Sequence, residues 1–169
     1  MNYYQKDCEY NKIINNIMKN KEFIKINNCR HHGITRLEHS LRVSYFSYKI
    51  CRKLKLNYKE TAVAGLLHDF FLDEQLTKKE HRLSAFTHPK KSLSNSMKHF
   101  KLTDMQKDII YSHMFPLIPT RPPKYLESWL VSMVDKVVAS YEFFLSYHEL
   151  YLSKIKRFAA VMLLVLAKV

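Results

Sequence analysis

A chain of 169 residues with 47% apolar side chains can bury a core without disulfide support, which places it with single-domain globular proteins and excludes a disordered one. Its 28 basic and 15 acidic residues leave a formal net charge of +13, a balance that suits an anionic partner but also follows from a composition rich in Lys, Asn and Ile. The charge is spread along the chain rather than gathered in one arm, which disfavours nucleic acid as the partner.

Taken in chain order, the pattern is helical almost throughout. Ile13, Ile14, Ile17 and Met18 recur at helical spacing and predict a helix over about Glu9 to Asn20. Asn27 to Thr35, with Gly33, reads as a loop. A long helix is expected over Arg36 to Leu54. Asn57 and Glu60 then form a capping-box pattern ahead of a helix from Tyr58 to about Phe70. That helix is mostly apolar (Ala62, Val63, Ala64, Leu66, Leu67), hence central and buried, and His68-Asp69 falls near its C-terminal end. Phe71 to Thr87 is less regular, with a short helix expected after the Thr77 and Glu80 pair. His88-Pro89 is expected to open the next helix, because proline is tolerated in a first turn, and to run to about Phe100. Thr103 and Gln106 form a further box for a helix ending near His113-Met114. Pro116, Pro119, Pro122 and Pro123 impose a loop. A long helix from about Tyr125 carries Asp135 in its middle, and a final apolar helix is expected over Lys154 to Lys168, as a core helix or a dimer face. No internal repeat or linker interrupts the chain, which reads as an all-α fold in one domain over 1–169.

Within this frame the informative residues are His39, the pair His68-Asp69, His88, His113 and Asp135, each of these five on its own predicted helix or helix end. Imidazole and carboxylate hold borderline and hard divalent cations. A carboxylate can bridge two cations, and a water between two metals ionises near neutral pH and becomes a nucleophile. Singly, each histidine could cap or end a helix. Asp135, among Val131, Met133, Val134, Val137 and Val138, is costly on a buried stripe unless paired or metal-bound.

The chain resembles the HD domain superfamily of metal-dependent phosphohydrolases. The matching residues are His39 in His-Ser-Leu-Arg-Val, His68-Asp69 after Gly65-Leu66-Leu67, and Asp135 before Lys136-Val137-Val138-Ala139; His88 and His113 match the extra histidines of binuclear members. The resemblance covers about residues 31 to 145, leaving 1–30 as an N-terminal helical segment and 146–169 as the C-terminal apolar helix. It implies an all-α HD bundle in which His39, His68, Asp69 and Asp135 hold one divalent metal, and Asp69 bridges to a second held by His88 and His113. Iron or manganese is preferred, while magnesium, zinc, cobalt and nickel also suit such ligands. His68 and Asp69 would then carry catalysis.

Two departures stand out. The His-Asp pair continues Phe70-Phe71-Leu72 where many members have Ile-Gly-Lys, so the lysine's role is unfilled; Asp73 is a candidate relay. The Gly-Tyr-Pro motif of the superfamily's cyclic di-GMP phosphodiesterases is absent around His113-Met114-Phe115-Pro116. Candidate phosphate contacts are Arg36, Arg42 and Lys91, with His32, Lys90 and Lys136 nearby, and Arg121 and Lys124 as a possible lid.

The expected function is hydrolysis of a phosphomonoester or phosphodiester of a nucleotide-like substrate by a metal-bridging hydroxide. Two other classes remain open: a mixed-valent di-iron oxygenase on the same fold, and a basic non-enzymatic module binding nucleic acid or protein. The expected partner is a small anionic phosphoester; a homodimer is possible and no membrane is expected. Only two glycines occur and neither a P-loop nor GxGxxG is present, so the usual nucleotide-cradling loops are excluded. Cys8, Cys29 and Cys51 lack CxxC spacing and read as free thiols. No apolar leader is visible, and the apolar run Phe158 to Ala167 is too short to span a bilayer, so a cytoplasmic location is expected.

Overall fold

The structure is a computed structural model and describes residues 3–31, 33–78 and 83–166. Of the sequence expectations, His32 and the Glu80 half of the Thr77 and Glu80 pair lie outside the described residues. The fold is all-α, with helices α1 (Cys8–Met18), α2 (Lys21–Ile24), α3 (Arg36–Lys53), α4 (Tyr58–Leu67), α5 (Ser84–His99), α6 (Asp104–Ser112) and α7 (Leu126–Leu166). Among the described residues the only strands are β1 (Arg30–His31) and β2 (Ile34–Thr35), an antiparallel ladder of two residues each. Gly33 closes its turn at φ 89°, a conformation that favours glycine.

Helix α4 is the axis of the molecule and packs on α1, α3, α5, α6 and α7. Thr61, Ala62, Ala64, Gly65, Leu66 and Leu67 are all buried, as a helix apolar on every side requires. Gly65 permits the close crossing with α3: a Cβ there would lie 3.1 Å from the Ser44 Cα. Across this crossing the Ser44 hydroxyl donates to the Ala62 carbonyl at 2.6 Å and accepts from the Tyr10 hydroxyl at 2.8 Å. The N-terminal segment is part of the same core, contributing Tyr10, Ile14, Ile17, Phe23 and Ile26.

The helix boundaries follow their caps. The Thr35 side chain accepts from the Glu38 N–H while Glu38 accepts from the Thr35 N–H, a capping box that starts α3 and that the loop reading did not include. Thr103 and Gln106 form the expected box at α6. The expected Asn57 and Glu60 box does not form. The Asn57 backbone N–H donates instead to Glu127 Oε1 at 3.0 Å, and Glu60 accepts from the Thr103 hydroxyl, so both groups tie α4 to neighbouring helices.

Three boundaries differ from the expectation. Helix α4 ends at Leu67, so His68 is its C-cap and Asp73 lies in a separate 3₁₀ turn, Asp73–Gln75. Helix α5 begins one turn before His88, with Pro89 inside it; the proline removes the helical donor to the Ala85 carbonyl near the helix start. The two helices expected after Tyr125 are one, α7, because no Gly or Pro follows Lys124 to break it. At 41 residues it is about 60 Å long. Among the described residues no helix is long and apolar enough to cross a membrane.

Candidate metal centre

The helix ends and crossings around α4 bring His39, His68, Asp69, His88, His113 and Asp135 to one point. His39 is on the second turn's threshold of α3, His68 and His113 are the C-caps of α4 and α6, His88 is in α5, and Asp135 is in α7. All six are at most 8% exposed. They fall into three overlapping triads, each with ligand atoms within 4.8 Å of one another: His39, His68, Asp69; His68, His113, Asp135; and Asp69, His88, His113.

The backbone decides how two of the rings point. His68 Nδ1 lies 2.8 Å from the Gly65 carbonyl, and His113 Nδ1 lies 2.8 Å from the Ile110 carbonyl. A carbonyl only accepts, so Nδ1 carries a proton in both rings, and Nε2 is the nitrogen turned to the centre. Each contact also satisfies a carbonyl in the last turn of a helix, which has no helical donor of its own. His68 Nε2 is buried without a hydrogen-bond partner. A ring with its outer nitrogen held by a carbonyl and its inner nitrogen unsatisfied is the arrangement a metal ligand requires.

Asp69 faces two ways. Its Oδ2 lies 3.7 Å from His68 Nε2, while Oδ1 lies 3.2 Å from His88 Nε2 and 3.8 Å from His113 Nε2. On the first side, Asp135 Oδ1 lies 3.1 Å from His39 Nε2 and 3.6 Å from His68 Nε2. On the second side, His88 Nε2 and His113 Nε2 are 2.8 Å apart. Such spacings match neighbouring ligands on a shared ion bound at roughly 2.0–2.2 Å. The residues therefore fit divalent metal, and the two oxygens of Asp69 could serve two positions.

In this protein the pocket's charges satisfy one another. Burial alone would lower the His39 pKa, but its hydrogen bonds to Asp135 and Glu142 outweigh that and raise it to about 10. Burial alone would raise the Asp135 carboxyl, yet its hydrogen bond with the His39 ring holds it well below the usual carboxylate range. Burial pushes His113 down to about 3, reinforced by His88 and His68 beside it.

Glu142 is the residue that sequence reasoning missed. It is 2% exposed, and its Oε2 lies 2.8 Å from His39 Nδ1 while Oε1 accepts from Arg42 at 3.0 Å. Its signal was present, since Glu142 follows Asp135 by seven residues, two helical turns, and so shares its face.

A cavity of about 470 Å³ opens beside the centre, lined by Asp69, His88, His113 and Asp135 together with Arg30, Arg36, Lys136 and the apolar Phe71, Leu76 and Leu117. Arg36 is firmly held: its Nη1 donates to the Phe71 carbonyl at 2.7 Å, its Nη2 donates to Asp73 at 2.8 Å, and the guanidinium stacks 3.8 Å from the Phe71 ring centre. Phe71 also stacks on His88, with ring centres 5.2 Å apart. Lys136 donates to the His113 carbonyl at 2.6 Å and lies 3.4 Å from Asp135 Oδ2.

The other expected phosphate contacts are elsewhere. Arg42 is bonded to Glu142 and lines a different groove, because α3 turns it away from the cavity. Lys91 does not line the cavity. Arg121 stacks 4.4 Å over Tyr111, and the Lys124 backbone N–H donates to Asp108, so these two residues are held at α6 and do not line the cavity, which the proline-rich segment reaches through Leu117.

The HD domain family model matches residues 36–140 of the chain. No curated protein and no solved structure gives a significant match.

Proposed function

Because the chain belongs to the HD domain family of metal-dependent phosphohydrolases, we propose that it hydrolyses a small, nucleotide-like phosphoester at a two-metal site. The observation that carries this reading is Asp69, whose two oxygens face separate histidine groups at the wall of a cavity that also holds Arg36 and Lys136. His39, His68, Asp69 and Asp135 would hold one ion, and Asp69, His88 and His113 the other. Divalent ions, when bound there, supply positive charge for the phosphoryl oxygens and lower the pKa of bound water for attack on phosphorus. Iron or manganese suits this mixed ligand set best, though magnesium, zinc, cobalt and nickel have compatible chemistry.

The chain's own residues supply the rest. Arg36 presents a guanidinium already fixed by Phe71 and Asp73, so little side-chain freedom is lost on meeting a phosphate oxygen. Lys136 adds a second positive charge beside Asp135. Phe71, Leu76, Met114 and Leu117 give the cavity an apolar wall that accommodates a flat organic group and excludes water.

The test is metal content of protein purified without chelator, followed by a panel of nucleoside mono- and diphosphates and cyclic phosphodiesters. Two equivalents of metal are expected, with phosphate ester hydrolysis that Asp69→Ala lowers by about a hundredfold or more. Oxygen consumption on an organic substrate without ester hydrolysis would replace this reading with a di-iron oxygenase. Absence of metal after anaerobic reconstitution, with steeply salt-dependent nucleic-acid binding, would replace it with a basic binding module.

A further inference from the structure

Helix α7 carries six exposed apolar side chains on one line, with Phe143 and Tyr147 exposed to one side of it. Leu126, Met133, Val137, Tyr141, Phe144 and Tyr151 are each 57–70% exposed. At 3.6 residues per turn all six fall within about 40° of Val137, while Asp135 and Ala139, which face the cavity, sit about 160° away. Next to the stripe, Phe46 and Ile50 of α3 join Met133, Val137, Tyr141 and Leu145 in walling a groove between α3 and α7. Both residues of α3 are about 40% exposed: Phe46 40% and Ile50 41%.

We propose that this face is the interface of a two-fold dimer, with a second copy of the chain packing its α7 stripe into the α3–α7 groove. The area is the first argument. The exposed fractions of the stripe and of Phe46 and Ile50 correspond to on the order of 700 Å² of apolar surface per protomer, from the areas such side chains carry. That exceeds the largest patch of an ordinary monomer, roughly 300–600 Å², and approaches the roughly 800 Å² each partner contributes to a standard interface.

Charge is the second argument. Two chains of net charge +13 repel, so they associate only through a face free of uncompensated charge. Among the described residues Arg42 is the one charged residue lining the groove, and Glu142 neutralises it at 3.0 Å. Shape is the third. One long ridge beside one groove on the same two helices is self-complementary under a two-fold axis, where each ridge enters the other copy's groove. The metal cavity, on the opposite side of α7, stays open in such a dimer.

Sedimentation of the full chain over a range of concentrations tests this. The wild type is expected to approach twice the 20.2 kDa chain mass. A Val137→Glu, Phe144→Glu double variant is expected at the single-chain mass with an unchanged helical circular dichroism spectrum; both positions are exposed, so folding does not depend on them. Single cysteines placed at Met133, Val137 and Tyr141 in a Cys8→Ser background should cross-link copies through a short bifunctional maleimide, whereas one at Lys107 on α6 should not. A monomeric wild type, a variant that remains dimeric, or cross-linking that is equal at Lys107 would each overturn the proposal, and a monomer would assign the stripe to a different occupant.

Discussion

At the scale of single residues, the centre depends on atoms outside the candidate ligand set. His68 and His113 are oriented by backbone carbonyls, which substitution cannot remove, but His39 is oriented by a side chain, Glu142. Glu142→Gln keeps the shape and removes the charge opposite His39 Nδ1. It also leaves Arg42 without its ion-pair partner. Loss of an outer partner of this kind is expected to weaken metal binding about 10- to 100-fold while the helices stay folded. Competition against a chelator would measure it; an affinity equal to that of the wild type would show that Glu142 has no part in positioning His39.

At the scale of elements, the centre is held by helix ends, so caps matter more than their exposure suggests. Thr103 caps α6, the helix that ends on His113, and its hydroxyl also donates to Glu60 on α4, the helix that ends on His68. Thr103→Ala removes the cap and the tie between the two helices. It is expected to cost about 1 kcal/mol, a fall of roughly 2–4 °C in Tm for a chain of this size. A thermal melt followed by circular dichroism would show it, and an unchanged Tm would mean that packing alone holds α6.

At the scale of the whole molecule, the buried charges tie stability to pH and to metal. In metal-free protein His39 keeps its proton up to about pH 10, while in the unfolded chain it loses it near 6.5. That contribution is complete below pH 6.5 and disappears as pH rises toward 10. His113 behaves in the opposite sense. The folded protein excludes its proton down to about pH 3, but the unfolded chain takes one up below 6.5, so stability is lost on acidification through that window. Below pH 3.8 the depressed Asp135 carboxyl adds to the loss. Chelator-treated protein is therefore expected to have its highest Tm near pH 6.5. Manganese or iron must displace the proton from His39, so loading is expected to stabilise more at pH 8 than at pH 6 and to move the maximum upward. Melting curves across pH, with and without metal, would check this; a Tm without pH dependence in the chelated protein would contradict the His39 and His113 assignments.

The sequence by itself determined the helical content and the identity of the residues at the centre, because both depend on local signals. Apolar spacing, the Thr103 and Gln106 box and the absence of Gly or Pro after Lys124 all act within a few turns of one helix. The residue types of the six candidates were legible for the same reason, each being chemically distinctive in its own segment. Where a local signal competed with a distant partner it misled: Asn57 and Glu60 look like a capping box but are taken by Glu127 and Thr103. Only the tertiary structure decided which basic side chains face the cavity. Arg36 and Arg42 lie on the same helix six residues apart, and the crossing of α3 on α4 at Gly65 places one at the cavity and the other on the outer groove. The pairing of Glu142 with His39 likewise spans 103 residues, and the division of Asp69 between two histidine groups depends on three separate helices. Periodicity fixes which residues share a face of one helix; which neighbour that face meets is settled by packing between segments far apart in the chain.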